Sequence, residues 1–229
     1  MLNKQKIKFK EGKLQYDSDY HKNKFGNWIN DKNLYRLRSE YAKRNYFDFI
    51  YGCERILEFG LGIGQNIAWY NNSYGFDINK ELYPMLKSKG INMYNKEEDI
   101  PNKSFDIILT CMVLEHLENP IEKVKFLKEK LKDNGVLITV LTGNLSNNRK
   151  SGINESIDGH LFGWCFYEIN YLLNYCGFKN ILNKRIYRYG IERFKFLPDN
   201  LYFFMLNLCG KIWNNYDILI ISRKEKKNE

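Results

Sequence analysis

ILEFGLGIGQ, residues 56–65, is a short apolar strand that runs into three alternating glycines: Gly60, Gly62 and Gly64. Glycines at this spacing remove the Cβ atoms where the chain turns sharply, and they let a ligand lie against the backbone. A second short strand at 73–76 ends at Asp77, nineteen residues beyond Glu58. An acid at the tip of the next strand can accept hydrogen bonds from both ribose hydroxyls. The chain is therefore predicted to bind a nucleoside-type cofactor.

The glycine spacing separates two classes of nucleoside cofactor. A dinucleotide site has Gly-x-Gly-x-x-Gly, because the pyrophosphate lies on the helix N-terminus and the third glycine permits close packing of helix and strand. Here the third glycine comes one position early, and Gln65 occupies its place. This spacing weakens the dinucleotide interpretation. An ordinary strand-to-helix turn is the structural alternative for the whole segment.

Hydrophobic periodicity predicts alternating strands and helices along most of the chain. The predicted strands are 55–59, 73–77, 91–94, 105–109 and 136–141, and a turn is expected at 133–135. The predicted helices are 34–51, 64–71, 79–89 and 120–131. This alternation indicates a doubly wound α/β sheet. The last third differs, with helices at 167–176 and 198–213 and two late strands at 178–187 and 216–222. The late strands suggest a hairpin added at one sheet edge.

Composition limits the domain organisation. The chain has 229 residues, 44% of them hydrophobic, which is enough for one proper core with extensions. We expect a basic, aromatic-containing N-terminal extension at 1–32 as a candidate lid, a single domain at 33–223 and a basic tail at 224–229. Within the domain, a cofactor-binding core at 50–142 precedes substrate-side elements at 143–213.

The net charge of +9 is concentrated at the two ends of the chain. Residues 1–24 carry seven lysines and three acids, a net +4, and residues 222–229 carry four basic and two acidic residues, a net +2. The remainder therefore has a net charge of only +3. Basic tails of this kind are usually solvated ends, and a nucleic-acid or membrane-binding arm is the alternative.

The five cysteines are odd in number and widely scattered, with no Cys-x-x-Cys pair. This pattern argues against a disulfide framework and a zinc site, so we expect reduced thiols, no metal and a cytoplasmic location. The N-terminus shows no apolar signal-peptide region. The most apolar long segment, 201–213, is too short to span a bilayer, although a peripheral membrane contact is compatible with it.

A glycine pattern alone is weak evidence for one kind of cofactor site. Four further sequence blocks, in the order expected for one enzyme family, make the assignment specific. They are the Asp77 strand at 74–78, SFDIILTCMVLEHLENP at 104–120, LKDNGVLITVL at 131–141 and HLFGWCFYEINYLLNYCGF at 160–178. With these blocks the chain resembles the class I S-adenosylmethionine-dependent methyltransferases, in particular the small-molecule branch with a type 11/12 methyltransferase domain. The resemblance implies a Rossmann-like, seven-stranded sheet that is mostly parallel with an antiparallel last strand. It also implies S-adenosylmethionine as the cofactor.

The resemblance implies that the methionine half of the cofactor lies against the glycine loop and the end of the fourth strand. Glu58 takes the acidic place before the loop, where it helps to hold the amino end. The loop residues that line the methionine are Gly60, Gly62 and Gly64. The residues that border the sulfonium follow the fourth strand and are Thr110, Cys111 and Met112.

For the adenosine half, the resemblance implies that Asp77 binds the ribose hydroxyls and that Ile78 packs on the adenine face. The family commonly has Gly-Asp-Ala before a Glu-Asp-Leu-Pro stretch, and that aspartate caps the adenine amino group. This chain instead has Asn-Lys-Glu at 95–97. Glu97 or Glu98 could supply the acceptor in its place.

Cys111 has two interpretations, a nucleophile that attacks a pyrimidine or a small buried thiol. No proline precedes it, as one would in a cytosine-modifying loop, so the buried thiol is favoured. The fourth strand also lacks the Asn/Asp-Pro-Pro-aromatic clamp that serves methylation of exocyclic base amines. These two absences argue against a nucleic-acid substrate.

His116 and His160 are the candidate catalytic residues. The resemblance implies that His116, which follows Glu115, lies close to the cofactor, where orienting the loop is the favoured role over moving a proton. His160 ends a polar stretch above the strand ends, and an imidazole with a near-neutral pKa suits removal of a proton from a hydroxyl. Alternatively, His160 and Trp164 only pin the loop to the domain. Three aromatic residues are candidate substrate contacts: Tyr16, Tyr20 and Trp164.

These features predict an S-adenosylmethionine-dependent methyltransferase that acts on a small molecule or a glycan or lipid precursor. O-methylation is favoured over methylation of nitrogen or carbon. Two alternatives stay open, an RNA or other nucleic-acid methyltransferase that uses the basic tails and a cofactor-binding partner subunit without catalysis.

Overall fold

The computed structural model describes residues 9–10, 13–14, 25–52, 54–143 and 160–225. A short antiparallel pair, β1 (Phe9–Lys10) and β2 (Lys13–Leu14), precedes the main sheet. The strands of the main sheet are β3 (Ile56–Phe59), β4 (Ser73–Phe76), β5 (Asn92–Met93), β6 (Phe105–Cys111), β7 (Leu131–Thr142), β8 (Phe178–Tyr187) and β9 (Tyr216–Lys224). The helices are α1 (25–30), α2 (Lys32–Tyr46), α3 (Tyr83–Ser88), α4 (Pro120–Lys130), α5 (Phe166–Tyr175) and α6 (Asp199–Ile212).

The main sheet has seven strands in the order β5-β4-β3-β6-β7-β9-β8. The pairs from β5 to β7 are parallel, whereas β9 runs antiparallel to both of its neighbours, β7 and β8. The predicted doubly wound sheet with an antiparallel last strand is therefore confirmed. Because β9 inserts between β7 and β8, the late hairpin extends the sheet rather than lying apart from it.

Helices cover both faces of the sheet. On one face the core contains Leu37 and Tyr41 of α2, Leu86 of α3 and Tyr202 of α6. On the other face it contains side chains of α4 and α5: Val124, Leu127, Ile169 and Leu173. The central strand β7 is buried on both sides, which explains the nearly continuous apolar run at 136–141. The result is a three-layer α/β arrangement.

The helix predicted at 64–71 is wrong, because residues 65–69 form irregular turns. Two side chains take the carbonyls that a helix would use. The Ser39 hydroxyl donates to the Gln65 carbonyl at 2.7 Å, and the Trp69 indole N–H donates to the Asn66 carbonyl at 2.7 Å. Side chains that compete for backbone carbonyls in this way disfavour a regular helix.

The turn predicted at 133–135 lies inside β7 as an irregularity. Phe105 pairs with Leu131, whereas Ile107 pairs with Val136, so additional residues of β7 bulge from the ladder. Asn134 adopts a positive φ of 64° at this place. The turn signal therefore marks a bulge within a strand rather than the gap before one.

The aromatic stretch at the start of α6 is divided between the core and solvent. Tyr202 and Leu206 are buried, whereas Leu201 and Phe204 are 45% and 59% exposed. Packing on the sheet therefore explains only one side of this helix. Within the described ranges, no helix combines the length and the apolar character needed to cross a membrane.

Candidate active site

A cleft of about 670 Å³ opens where the parallel strands β3, β4 and β6 end. Ligands of open α/β sheets bind at this edge, beside the point where the strand order reverses. Here the chain runs from β3 through β4 to β5 on one side and then crosses to β6 on the other side of β3. The outer wall of the cleft comes from α1 and from residues 188–192, which follow β8.

The glycine loop after β3 has a backbone that only glycine adopts readily. Gly60, Gly62 and Gly64 have φ values of 74°, 53° and 74°. A Cβ on Gly60 would also come within 2.5 Å of the Val113 side chain. Gly60 and Gly62 line the cleft, whereas Gly64 faces Leu86 and Ile91 in the core. The structure thus places two of the three glycines at the cleft and the third in the packing behind it.

Asp77 lies at the tip of β4 and faces the glycine loop. Its Oδ2 accepts a hydrogen bond from the backbone N–H of Gly62 at 2.8 Å, and its Oδ1 accepts one from that of Asn79 at 2.8 Å. The side chain of the next residue, Ile78, is 63% exposed although it lines the cleft. A fixed carboxylate beside an exposed apolar side chain suits a ribose next to a flat base.

Glu58 is buried under the loop, with 1% of its surface exposed. Its Oε1 accepts a hydrogen bond from Asn66 Nδ2 at 2.6 Å, while Oε2 has no hydrogen-bond partner among the described residues. The pKa of Glu58 is raised to about 8, mainly by burial and also by Asp77, whereas the Asn66 hydrogen bond and the Arg38 guanidinium act in the opposite direction. A cationic ligand group beside Oε2 would stabilise the ionised form.

Arg38 is a cleft residue that the sequence interpretation missed. It is 4% exposed and lines the cleft, yet its Nε and Nη1 have no hydrogen-bond partner in the part of the chain that the structure describes. Its guanidinium lies 5.1 Å from the ring centroids of both Trp28 and Tyr41. Arg38 follows Leu34 by four positions, so an arginine on the apolar face of α2 was the available signal. A buried arginine with free donors fits a carboxylate or a phosphate.

Arg188 and Asp217 form an ion pair that also lines the cleft. Asp217 is buried at the start of β9, and Arg188 follows β8 directly. Burial lowers the pKa of Arg188, but the adjacent carboxylate of Asp217 outweighs this effect and keeps it above its ordinary value. The sequence analysis did not identify this pair, since the two residues are 29 positions apart.

The end of β6 forms the floor beside the glycine loop. The pKa of the Cys111 thiol is raised to about 12, mainly by burial and also by the nearby Glu58. Because the thiolate is the nucleophilic form, this environment supports the interpretation of Cys111 as an inert thiol. Met112 lines the cleft with a φ of 57°, an uncommon value for this residue type. Thr110 of β6 is buried and does not line the cleft.

The two candidate adenine acceptors lie in different places. Glu97 lines the cleft and forms an ion pair with Lys123. Glu98 is exposed and does not line the cleft. Of the two, Glu97 is therefore the one positioned to contact a ligand there.

The two candidate catalytic histidines meet at the cleft. The ring centroids of His116 and His160 are 4.6 Å apart, at an angle of 75° between the ring planes. The segment after His160 is docked by the Glu115 carbonyl, which accepts hydrogen bonds from Leu161 and Phe162 at 2.8 and 3.1 Å. The structure thus brings together two side chains that are 44 positions apart in sequence.

The candidate substrate contacts have mixed outcomes. Trp164 does not line this cleft; it packs against Phe162 at a centroid distance of 5.4 Å, beside the exposed face of α5. Tyr16 and Tyr20 lie outside the described residues, as does most of the polar loop before His160. From the expected N-terminal lid, Phe25 and Trp28 line the cleft.

Comparisons with known proteins connect this site to one family. A family model described as a methyltransferase domain matches residues 18–176. An uncharacterised protein of Methanocaldococcus jannaschii is 32% identical over 124 residues, or 52% of this chain. The chain spans 58% of the length of that curated relative.

Solved structures share the fold at low sequence identity. A SAM-dependent methyltransferase of Thermotoga maritima, a possible histamine N-methyltransferase, is 14% identical with a TM-score of 0.64, covering 90% of this chain and 99% of its own. The 1,6-didemethyltoxoflavin-N1-methyltransferase of Burkholderia thailandensis, solved with its substrate and S-adenosylhomocysteine, is 13% identical with a TM-score of 0.57. The match covers 91% of this chain and 85% of that one.

Proposed function

Since the chain belongs to the methyltransferase domain family, we propose that it is an S-adenosylmethionine-dependent enzyme that methylates a small molecule or a glycan or lipid precursor. We further propose that the methyl group goes to a hydroxyl oxygen. The observation that carries the cofactor assignment is the contact between Asp77 and the Gly62 N–H at the edge of the cleft. This hydrogen bond links the carboxylate proposed to bind the ribose directly to the glycine loop.

The residues present fit the two charged groups on the α-carbon of S-adenosylmethionine, the ammonium and the carboxylate. Glu58 offers an oxygen without a hydrogen-bond partner among the described residues, which suits an ammonium group. Arg38 offers buried N–H donors that suit a carboxylate. When bound, S-adenosylmethionine supplies a methyl group on a positively charged sulfur, which leaves as a neutral thioether.

The acceptor is proposed to bind on the side of the cleft formed by α1, residues 188–192 and the histidine pair. Trp28, Tyr189 and Ile191 give this side a large apolar surface that excludes water from the reacting atoms. Alignment and water exclusion supply much of the rate of a transfer of this kind. When no metal ion is bound at the two histidines, a neutral imidazole of the His116–His160 pair takes up the proton of the acceptor hydroxyl.

The proposal of a small acceptor has two supports. The structurally similar Burkholderia protein is named for methylation of 1,6-didemethyltoxoflavin and was solved with that compound bound. The strong net charge of this chain lies mainly at its ends, away from the cleft-forming core in sequence. Neither support specifies the acceptor atom, and the choice of oxygen depends on the histidine pair.

The experiment is calorimetry of S-adenosylhomocysteine binding to the wild type, Asp77→Asn and Asp48→Asn. Asp77→Asn keeps the side-chain shape but replaces one acceptor oxygen by a donor, so we expect a loss of about 10–100-fold in affinity. Asp48 is exposed and does not line the cleft, so its variant should bind like the wild type. Absence of binding to the wild type, or equal affinities for all three proteins, would refute the cofactor site.

A further inference from the structure

Beside the cofactor region, the fold brings together a carboxylate and two imidazoles. Glu115 and His116 belong to the short 3₁₀ turn Leu114–His116 that follows β6, and His160 comes from the segment before α5. One ligand atom from each residue can be chosen so that all three lie within 4.8 Å of one another. Carboxylate oxygen and imidazole nitrogen are common ligands of divalent first-row transition metals.

We propose that Glu115, His116 and His160 bind a divalent transition-metal ion, with Zn²⁺ or Mn²⁺ as the matching chemistry. Metal–ligand distances of about 2.0–2.2 Å place neighbouring ligand atoms roughly 3–3.5 Å apart. The observed group is wider than this, but rotation of the side chains can close the difference. The mixed nitrogen and oxygen set favours a transition metal over Mg²⁺, which prefers oxygen ligands.

The three residues differ in their position relative to the cleft. His116 and His160 line the cleft, whereas the Glu115 side chain is 1% exposed and does not line it. An ion held by all three would therefore lie at the wall of the cleft, within reach of an acceptor bound there.

The expectation of no metal came from the spacing of the cysteines, which carries no information on this group. His116 and His160 are 44 positions apart, so no short sequence motif identifies them as a pair of metal ligands. Three protein ligands with open positions are typical of catalytic rather than structural metal sites. The group therefore differs in kind from the cysteine-based site that the sequence argued against.

The role of the ion rests on the proposed function. An acceptor hydroxyl bound at an open position has a lowered pKa, so it gives its proton to water more readily and can attack as the deprotonated oxygen. In the metal-bound protein the two histidines are then ligands and not bases. A metal ion that binds the acceptor hydroxyl would add to the proposed preference for methylation of oxygen.

The test is titration of the chelator-treated, full-length protein with Co²⁺, followed by its visible absorption, and competition with Zn²⁺. We expect one equivalent of Co²⁺ to bind to the wild type. Glu115→Gln, His116→Ala and His160→Ala should each weaken binding by about 100-fold or more, as expected for loss of a direct ligand. Glu118→Gln is the matched control, because Glu118 is exposed only three positions from Glu115, and it should bind like the wild type.

S-adenosylhomocysteine binding, measured on every variant without metal, reports whether the site is folded. Normal binding together with loss of Co²⁺ supports the proposal. Two outcomes overturn it. One is absence of stoichiometric Co²⁺ binding by the wild type, and the other is Co²⁺ binding by the three variants that is as tight as in the wild type. A wild type that binds Co²⁺ but not S-adenosylhomocysteine would contradict the proposed function and leave the metal site standing.

Discussion

Glu58 shows how one buried side chain can make stability depend on pH. Its ordinary pKa of 4.5 applies to the unfolded chain, whereas burial first, and Asp77 next, raise the pKa in the folded protein to about 8. Between these values the folded state keeps a proton that the unfolded state has lost. The stabilising contribution is therefore complete below pH 4.5 and is lost as the pH rises toward 8.

We predict that Glu58→Gln removes this dependence in the ligand-free protein. In the wild type, Glu58 lowers the unfolding free energy by up to about 1.4 kcal/mol for each unit of pH increase between the two pKa values. The variant should therefore be close to the wild type at pH 5 and more stable at pH 9. Urea denaturation at pH 5, 7 and 9 measures the difference.

Glu98→Gln is the control for this prediction, because Glu98 is exposed and lies off the cleft. Its stability should follow the wild type at all three pH values. If Glu58→Gln also parallels the wild type, the carboxyl does not retain its proton on folding and the assigned pKa is incorrect.

At the scale of elements, the outer wall of the cleft depends on contacts between the first helices and the segment after β8. The Trp28 indole donates a hydrogen bond to Glu192 at 3.0 Å, and the Asn33 amide donates one to the Lys195 carbonyl at 2.8 Å. Asp31 caps α2 by accepting from the Leu34 N–H at 3.0 Å. This wall consists of segments more than 160 positions apart.

The ion pair between Arg188 and the buried Asp217 joins the end of β8 to β9 at that wall. We predict that Arg188→Met lowers the unfolding free energy by about 3–5 kcal/mol, because it leaves Asp217 buried without its cation. The double variant Arg188→Met/Asp217→Leu should recover much of the loss, since no charge remains to be desolvated. Chemical denaturation of the three proteins measures these effects.

Arg36→Met is the matched control, because the Arg36–Asp199 pair is 51% and 39% exposed at its two side chains. Exposed pairs contribute about 1 kcal/mol or less, so this variant should be nearly as stable as the wild type. Equal losses from Arg36→Met and Arg188→Met would show that burial of Asp217 has no special cost.

At the scale of the whole molecule, the basic ends are separate in sequence from the residues proposed to bind the cofactor. Among the described residues, those that line the cleft begin at Phe25, and those proposed for the methionine end are Arg38 and Glu58. Residues 1–24 carry a net +4 and include the proposed acceptor contacts Tyr16 and Tyr20. Cofactor binding and acceptor binding are therefore expected to respond differently to removal of this segment.

We predict that deletion of residues 1–24 leaves S-adenosylhomocysteine affinity unchanged and raises the KM for the acceptor. A variant with the seven lysines of this segment changed to glutamine is the control, since it removes charge but keeps both tyrosines. Loss of S-adenosylhomocysteine affinity on deletion would contradict the prediction. Loss of salt-sensitive RNA affinity in both proteins would favour the nucleic-acid alternative.

The sequence by itself determined the sheet architecture and the position of the cofactor loop. The glycine run after β3, Asp77 at the tip of β4 and the apolar run of β7 are local patterns, and each depends mainly on neighbouring residues. The doubly wound arrangement followed because parallel strands alternating with helices have few allowed arrangements, whereas the order of the individual strands came from the structure. These features survive the errors in the predicted element boundaries.

Only the tertiary structure decided which distant side chains share the cleft. Arg38, the Arg188–Asp217 pair and the contact between His116 and His160 carry no short motif, because their partners come from remote parts of the chain. The irregular turn at 65–69 has the same cause, since Ser39 of α2 takes a carbonyl that local propensity assigned to a helix. Local patterns specify elements, whereas burial and charge pairing across the fold specify the site.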